Sequence, residues 1–147
     1  MFSVSAVNAS VTLNNTALYY NNKILASISK SGCLTLKGIS QKLEGRLRCG
    51  KNSQASLNLT KGSKFKGAID AKDAAVSISL DQSSTWNVTA DSYVSEIKNR
   101  NFRCRNIKSN GHTIYYDAAN SSNSWLKGGT ISLPGGGSLV PLTECPH

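Results

Sequence analysis

The chain has 147 residues, a length that suits one domain with one hydrophobic core. Hydrophobic residues make up 39% of it, aromatic residues 7% and charged residues 17%, which excludes a disordered chain and favours strands and turns with short apolar side chains inside. The net charge of +9 favours polyanionic partners such as acidic polysaccharide, and no stretch is long and apolar enough to predict a membrane span.

The first predicted elements are four short alternating segments that end in leucine. They are SVTL, CLTL, SLNL and SISL, ending at Leu13, Leu36, Leu59 and Leu80, so the segments recur at a near-constant step. In each segment the apolar residues point to one side, and the small polar residues point to the other. A near-constant step of this length predicts an all-β fold, a parallel β-helix (solenoid) with coils of about 21–23 residues.

Two consecutive coils match beyond their first strands. Residues 64–66 (KFK) correspond to residues 85–87 (TWN), at the same spacing that separates Leu59 from Leu80. Because equivalent positions of neighbouring coils lie above one another in a solenoid, this match predicts that Phe65 stacks on Trp86.

The regular period fails after Ile97, where the basic stretch KNRNFRCRNIK begins. We therefore expect a single domain over 1–147, with regular coils over about 8–97 and irregular last coils and a cap over 98–147. A cap is expected because an exposed sheet edge invites pairing with another chain. No clear helix signal occurs, and SQKLEGRL is the only helix candidate.

The cysteines number four, and none of them forms a CxxC motif. With only two histidines in the chain, a zinc site is not expected. An even number of cysteines in a chain rich in Ser and Asn predicts two disulfides that close the fold and an oxidising compartment, with three pairings open. The residues concerned are Cys33, Cys49, Cys104 and Cys145.

One segment carries a resemblance to a known group of proteins. The run LDQSSTWNVTADSYVSEI at 80–97, followed by NIKSNGHTIYYDAANSSNSWLKGG and GGGSLVPL, resembles the last coils of extracellular right-handed parallel β-helix proteins of bacteria and fungi, of the pectate-lyase-like or adhesin type. The resemblance covers roughly residues 50–142. It implies a right-handed β-helix and a secreted or cell-surface location, but it does not imply one activity, because the group includes surface proteins, adhesins and polysaccharide-active enzymes.

Asp70 and Asp91 are the candidate catalytic or metal-binding residues. The match between the two coils makes them equivalent positions, so their carboxylates are expected roughly 5 Å apart by the strand spacing. A pair at that separation suits a retaining glycosidase or a bound calcium ion. The alternative is that both carboxylates accept hydrogen bonds from backbone N–H groups in turns, and this alternative is the favoured one.

The outward-facing residues of the four segments form a second candidate surface. A flat solenoid face with regular columns of hydroxyl groups is similar in general design to the faces of ice-binding proteins, although Cys and Asn interrupt the columns here. Two columns are predicted: one contains Ser10, Cys33, Ser56 and Ser77, and the other contains Thr12, Thr35, Asn58 and Ser79.

Aromatic and basic residues form the third candidate site, a sugar-binding surface. Exposed rings can contact the apolar faces of sugars, and ammonium groups can contact their acidic groups. The candidates are Trp125, Tyr115, Tyr116, Lys64 and Lys66, with packing in the core or at the coil end as the alternative for each ring.

The sequence therefore predicts a non-catalytic β-helix protein that binds cell-wall or matrix polysaccharide or another polyanion, or serves structural display at a cell surface. A polysaccharide-degrading enzyme using Asp70 and Asp91 is the alternative, with ice binding as a lesser one. No GxSxG motif and no nucleic-acid-binding module occurs, and no cofactor is expected apart from the calcium alternative. An end-to-end homodimer and a longer parent chain both stay open.

Overall fold

The computed structural model describes residues 2–16, 24–71, 74–101 and 103–142. Short strands follow one another along these residues, and a 3₁₀ helix, Ser121–Leu126, interrupts them after the fifteenth. The strands are β1 (Phe2–Ser5), β2 (Asn8–Asn14), β3 (Ile24–Ser29), β4 (Cys33–Ile39), β5 (Lys42–Glu44), β6 (Arg46–Cys49), β7 (Gln54–Thr60), β8 (Lys64–Gly67), β9 (Ile69–Asp70), β10 (Ala75–Leu80), β11 (Thr85–Val88), β12 (Ser92–Val94), β13 (Glu96–Asn99), β14 (Ile107–Lys108), β15 (Thr113–Tyr116), β16 (Ile131–Ser132) and β17 (Ser138–Pro141).

Strands that follow one another in the chain belong in turn to different sheets. Sheet A contains β1, β3, β6 and β9, sheet B contains β2, β4, β7, β10 and β13, and sheet C contains β5, β8, β11 and β14. Sheet D (β12, β15, β17 and β16) adjoins the end of sheet A, where Ile69 N donates to Ser92 Oγ (3.0 Å). Apart from β16 with β17, the paired strands are parallel, which confirms the predicted β-helix, here with about 6 turns.

Alternation within each strand builds the core. In β7 the burial alternates along the strand, so that Leu57 and Leu59 are buried while Ser56 and Asn58 face outward. Burying one leucine fully stabilises the fold by about 1.5–3 kcal/mol. Because like positions repeat in each coil, these side chains form continuous apolar columns along the axis.

The register of the first coils differs from the one that the leucines predict. Leu36 lies opposite both Val11 and Leu57, while Leu59 lies opposite Gly38. The step from β2 to β4 is therefore longer than the spacing of Leu13 and Leu36, and the step from β4 to β7 is shorter than the spacing of Leu36 and Leu59, by two positions in each case. Counting from leucine to leucine missed this because a shift of two positions leaves every side chain on the same face of the strand.

The stacked aromatic pair is confirmed. The Phe65 and Trp86 ring centroids lie 5.9 Å apart with 19° between the ring planes, and both side chains are buried. Trp86 Nε1 donates to Gly67 O (3.0 Å), so the only polar atom of this ring has a partner. The predicted helix candidate SQKLEGRL is wrong, because this segment contains β5 and the start of β6.

Buried polar side chains hold the turn between sheets B and C. Gln41 N donates to Ser63 Oγ (3.1 Å), and Ser63 N donates to Ser84 Oγ (3.2 Å). In the next coil Asn106 Nδ2 donates to Ser84 O (2.9 Å). This ladder joins successive turns and satisfies polar groups that burial would otherwise leave unpaired.

The 3₁₀ helix covers the β13 edge of sheet B. Asn123 and Trp125 supply side chains where a further strand would supply backbone groups: Ile97 N donates to Asn123 Oδ1 (2.9 Å), and Trp125 Nε1 donates to Ile97 O (3.1 Å). Asn123 Nδ2 also donates to Ser95 O (2.9 Å). This end of sheet B is therefore capped, as the sequence predicted.

The predicted disulfides are not supported. Cys33, Cys49 and Cys104 are free thiols, and Cys145 lies outside the described residues. Cys33 is half-exposed on β4, whereas Cys49 and Cys104 are buried, and burial is the main reason that the pKa of each of these two is raised to about 11. Within the described ranges, no helix is long and apolar enough to cross a membrane.

Candidate functional site

An open groove of about 750 Å³ runs across the outer face of sheet B, beside the turn that leads to sheet C. Its lining crosses several coils, from β4 to β13, and ends at the 3₁₀ helix. Because parallel strands hold this face in a fixed register, the groove has a rigid floor.

Exposed cations line the groove. Lys37 and Lys98 stand in one outward column of sheet B, with Asn58 and Ser79 between them. Three strand spacings separate these two residues, a distance of roughly 14 Å between backbone positions. Two further lining cations, Lys61 and Arg100, follow the strands in the adjoining turns.

Asp81 is the one carboxylate among the described lining residues, and it serves as the anchor of a turn. Its Oδ1 accepts hydrogen bonds from Ser84 N (2.8 Å), Ser83 N (3.1 Å) and Ser83 Oγ (2.9 Å), while its Oδ2 accepts one from Lys61 N (2.8 Å). Burial by itself would raise the pKa of Asp81, but these hydrogen bonds stabilise the charged form and together hold the pKa below its ordinary value. The carboxylate therefore stays ionised, and much of its hydrogen-bonding capacity is used within the fold.

One of the lining cations also has an acidic neighbour. Lys98 Nζ lies 3.0 Å from Glu96 Oε1, with the Lys98 side chain 61% exposed. An ion pair this exposed contributes little to stability, and an anionic ligand can compete for the ammonium group. The described lining residues thus combine four cations with the single Asp81 carboxylate.

Trp125 closes the groove at its β13 end. The ring is half-exposed, and its hydrogen bond to Ile97 O fixes its position on the sheet edge. The two sequence alternatives for Trp125, sugar contact and coil-end packing, are therefore compatible, because the same residue caps β13 and lines the groove. Hydroxyl groups of Thr60, Ser79 and Ser122 also belong to the groove lining.

The other predicted ligand-binding residues lie on different faces. Lys64 and Lys66 are exposed on β8 of sheet C, outside the groove. Tyr115 lies on sheet D and stacks on Tyr93, with ring centroids 5.0 Å apart. Tyr116 is buried, and its hydroxyl donates to Gly129 O (2.6 Å), which corrects the expectation that this ring belongs to an exposed sugar-binding surface.

The two carboxylates predicted as catalytic or metal-binding residues, Asp70 and Asp91, lie beside residues of different coils. Asp70 lies opposite Arg48 in sheet A. Asp91 lies just before β12, and its Oδ1 accepts a hydrogen bond from Thr113 N (2.9 Å) and lies 3.7 Å from His112 Nδ1. The contact with Thr113 is the kind of turn contact that the favoured alternative describes, and neither carboxylate lines the groove.

Metal binding at these carboxylates stays a prediction. In the part of the chain that the structure describes, no three or more His, Cys, Asp and Glu side chains come together as a group that could hold a metal ion. A calcium ion at Asp70 and Asp91 would therefore need oxygen ligands from backbone groups, amides or water.

The hydroxyl columns of sheet B carry charged residues in the observed register. One outward column contains Ser10, Thr35, Ser56, Ser77 and Glu96, and the other contains Thr12, Lys37, Asn58, Ser79 and Lys98. Sequence reasoning placed Thr35, not Lys37, beside Asn58, and so it missed the basic column. The steps from β4 to β7 and from β10 to β13, which pair Lys37 with Asn58 and Ser79 with Lys98, were the signals needed to find it.

Comparison of the chain with protein-family models, with curated proteins and with solved structures found no match.

Proposed function

We propose that the protein binds an anionic polysaccharide along the sheet B groove and does not catalyse a reaction on it. The observation that carries this proposal is the combination, in one rigid groove, of four exposed cations with the half-exposed Trp125 ring. Carboxylate or sulfate groups of the polymer would contact the cations, and the apolar face of a sugar would contact the indole.

The repeat of the groove supports a polymer in preference to a small ligand. Neighbouring strands are spaced about 4.8 Å apart, close to the length of one sugar unit in an extended chain. Lys37 and Lys98 would then contact acidic groups a few units apart along the same chain. Because the sheet fixes these positions before binding, little conformational entropy is lost in the backbone when the ligand binds.

The acidic residues of the groove lining support binding without catalysis. Glycoside hydrolysis uses two carboxyl groups, one of them protonated. The described lining of the groove has only one, Asp81, which is ionised and hydrogen-bonded within a turn. A secreted or cell-surface location, as in adhesin-type proteins, belongs to this proposal because acidic polysaccharides of walls and matrices are found there.

The experiment that tests the proposal is retention on immobilised polymers, with soluble products assayed in the same tubes. The polymers are polygalacturonate, heparin and uncharged dextran, each at low and high salt, with single-stranded DNA as a further polyanion. We expect retention on polygalacturonate or heparin that high salt removes, no retention on dextran and no products. Stronger retention on DNA than on either polysaccharide, retention on none of them, or release of shortened sugars would contradict the proposal.

A further inference from the structure

The opposite edge of sheet B, formed by β2, differs from the capped β13 edge. β2 pairs with β4 on one side, and among the described residues no strand lies on its other side. Its inward residues Ala9, Val11 and Leu13 are only half-buried, and Val7 just before it is 57% exposed. The apolar columns of the core therefore continue to this end of the solenoid without a described cover.

The backbone of β2 directs hydrogen-bonding groups away from the solenoid. Val7 O accepts from Cys33 N (2.9 Å) and Asn15 N donates to Ile39 O (3.1 Å), so the odd-numbered residues face β4. Because alternate residues of a strand in a parallel ladder bond to opposite sides, the N–H and C=O groups of Ser10 and Thr12 point off the free edge.

Among the described residues, this edge has none of the features that usually prevent strand pairing. Exposed edge strands commonly carry a charged residue, a proline or a bulge. β2 reads NASVTLN, pairs with β4 without a register shift, and contains neither charge nor proline. The first charged residue of the whole chain is Lys23, in a protein with a net charge of +9.

We propose that β2 is a dimer interface at which a second copy of this chain pairs antiparallel through the same strand. A two-fold axis at Val11 places Ser10 opposite Thr12 of the second copy, and Thr12 opposite its Ser10. Both are residues whose backbone groups face the free edge, so each pair exchanges two backbone hydrogen bonds. Val11 lies opposite Val11 of the second copy in the non-hydrogen-bonded pair at the centre, where side chains lie closest.

The sequence of β2 favours a second copy over another partner. NASVTLN is close to palindromic in residue class, with Asn8 and Asn14 at the ends, hydroxyl residues on either side of Val11, and Ala9 opposite Leu13. The inward residues of both copies would continue one apolar core across the interface. Because β2 carries no charge, this contact places no like charges directly against each other, although each chain has a net charge of +9.

Light scattering coupled to size-exclusion chromatography tests this inference. We expect the wild-type protein to have twice the 15.7 kDa mass of one chain. On dilution the dimer should dissociate into folded monomers of the single-chain mass. Ser10→Pro removes one edge-facing N–H but no hydrogen bond to β4, so this variant is expected to be a folded monomer. Ser10→Ala keeps the N–H and should remain a dimer.

Val11→Lys provides a second variant, because it brings two ammonium groups together at the two-fold axis, and it too should be monomeric with a wild-type circular dichroism spectrum. A wild-type mass of one chain, an open series of larger oligomers, or Ser10→Pro and Val11→Lys proteins that both stay dimeric would overturn the inference. None of these results depends on polysaccharide binding.

Discussion

Lys37 and Lys98 stand in the same outward column of sheet B, on β4 and β13, with only Asn58 and Ser79 between them. This relationship converts two distant lysines of the sequence into one basic surface. Trp125 lies at the end of the same groove because the 3₁₀ helix that caps β13 holds it there. The proposed binding site is thus a by-product of two features that stabilise the solenoid, its repeated register and its cap.

Replacing Trp125 tests the contact between the indole and a sugar ring. Trp125→Ala should raise the Kd for polygalacturonate about tenfold, and the ratio of the variant Kd to the wild-type Kd should change little as salt rises over the range in which binding is still measured, because stacking is less sensitive to salt than ion contacts are. Trp125→Phe keeps an aromatic ring but removes the hydrogen bond to Ile97, and it should retain most of the affinity. Equal losses in both variants would assign the effect to the position of the 3₁₀ helix and not to the ring.

Replacing Asp81 tests its role as the turn anchor. Because the pKa of Asp81 is lowered in the folded state, its carboxylate stabilises the fold above the unfolded-state pKa, and this contribution disappears as pH falls through the lowered pKa. Asp81→Asn should lower stability at neutral pH by about 1 kcal/mol, by analogy with the loss of a helix cap, and should remove that part of the acid sensitivity.

The measurement is the thermal unfolding midpoint of the wild type and of the Asp81→Asn variant across the acidic pH range. Ser83→Ala, which removes one of the hydroxyl donors to Asp81, should give a smaller change in the same direction. An Asp81→Asn protein that unfolds with an unchanged pH dependence would show that the carboxylate does not anchor the turn.

Replacing the two predicted acidic residues separates the binding function from the enzymatic alternative. Asp70→Asn/Asp91→Asn should change the Kd for polygalacturonate by less than about twofold, because neither residue lines the groove. Sugar products should be absent with both the wild type and the variant. Products that form with the wild-type protein and disappear in the variant, while its unfolding midpoint is kept, would establish the alternative.

The cysteines provide a direct test of the core packing. Thiolate is the reactive form, and a pKa of about 11 leaves roughly one thiol in a thousand ionised at pH 8. Iodoacetamide should therefore label half-exposed Cys33 before Cys49 and Cys104 in the native protein, and all three after denaturation. Labelling at equal rates in the native state, or a disulfide at Cys49 or Cys104 under non-reducing conditions, would contradict the described core.

Much of the fold could be predicted because a solenoid repeats its alternation in every coil. The inward positions of Leu57 and Leu59 follow from that alternation, and the stack of Phe65 on Trp86 follows from the constant spacing between their two coils. The basic column could not be predicted, since it depends on the step from β4 to β7, where an error of two positions leaves Lys37 facing outward but beside the wrong partner. It also depends on the step from β10 to β13, which lies outside the four repeated segments.

The position of Trp125 at the end of the groove could not be predicted from the sequence either. Its position depends on a short 3₁₀ helix, whose few residues carry no apolar periodicity. The buried position of Tyr116 was missed for a related reason. Adjacent tyrosines in a strand point to opposite faces, so at most one of Tyr115 and Tyr116 can lie on the surface.

The most direct test of the groove is a matched pair of double variants. Lys37→Gln/Lys98→Gln and Lys64→Gln/Lys66→Gln remove the same charge from the protein, the first pair from the groove and the second from sheet C. The measurement is the Kd for polygalacturonate by titration calorimetry at low salt. The groove pair should weaken binding about tenfold and the sheet C pair less than about twofold. Equal losses would mean that net charge alone binds the polymer, and a larger loss from the sheet C pair would place the site there.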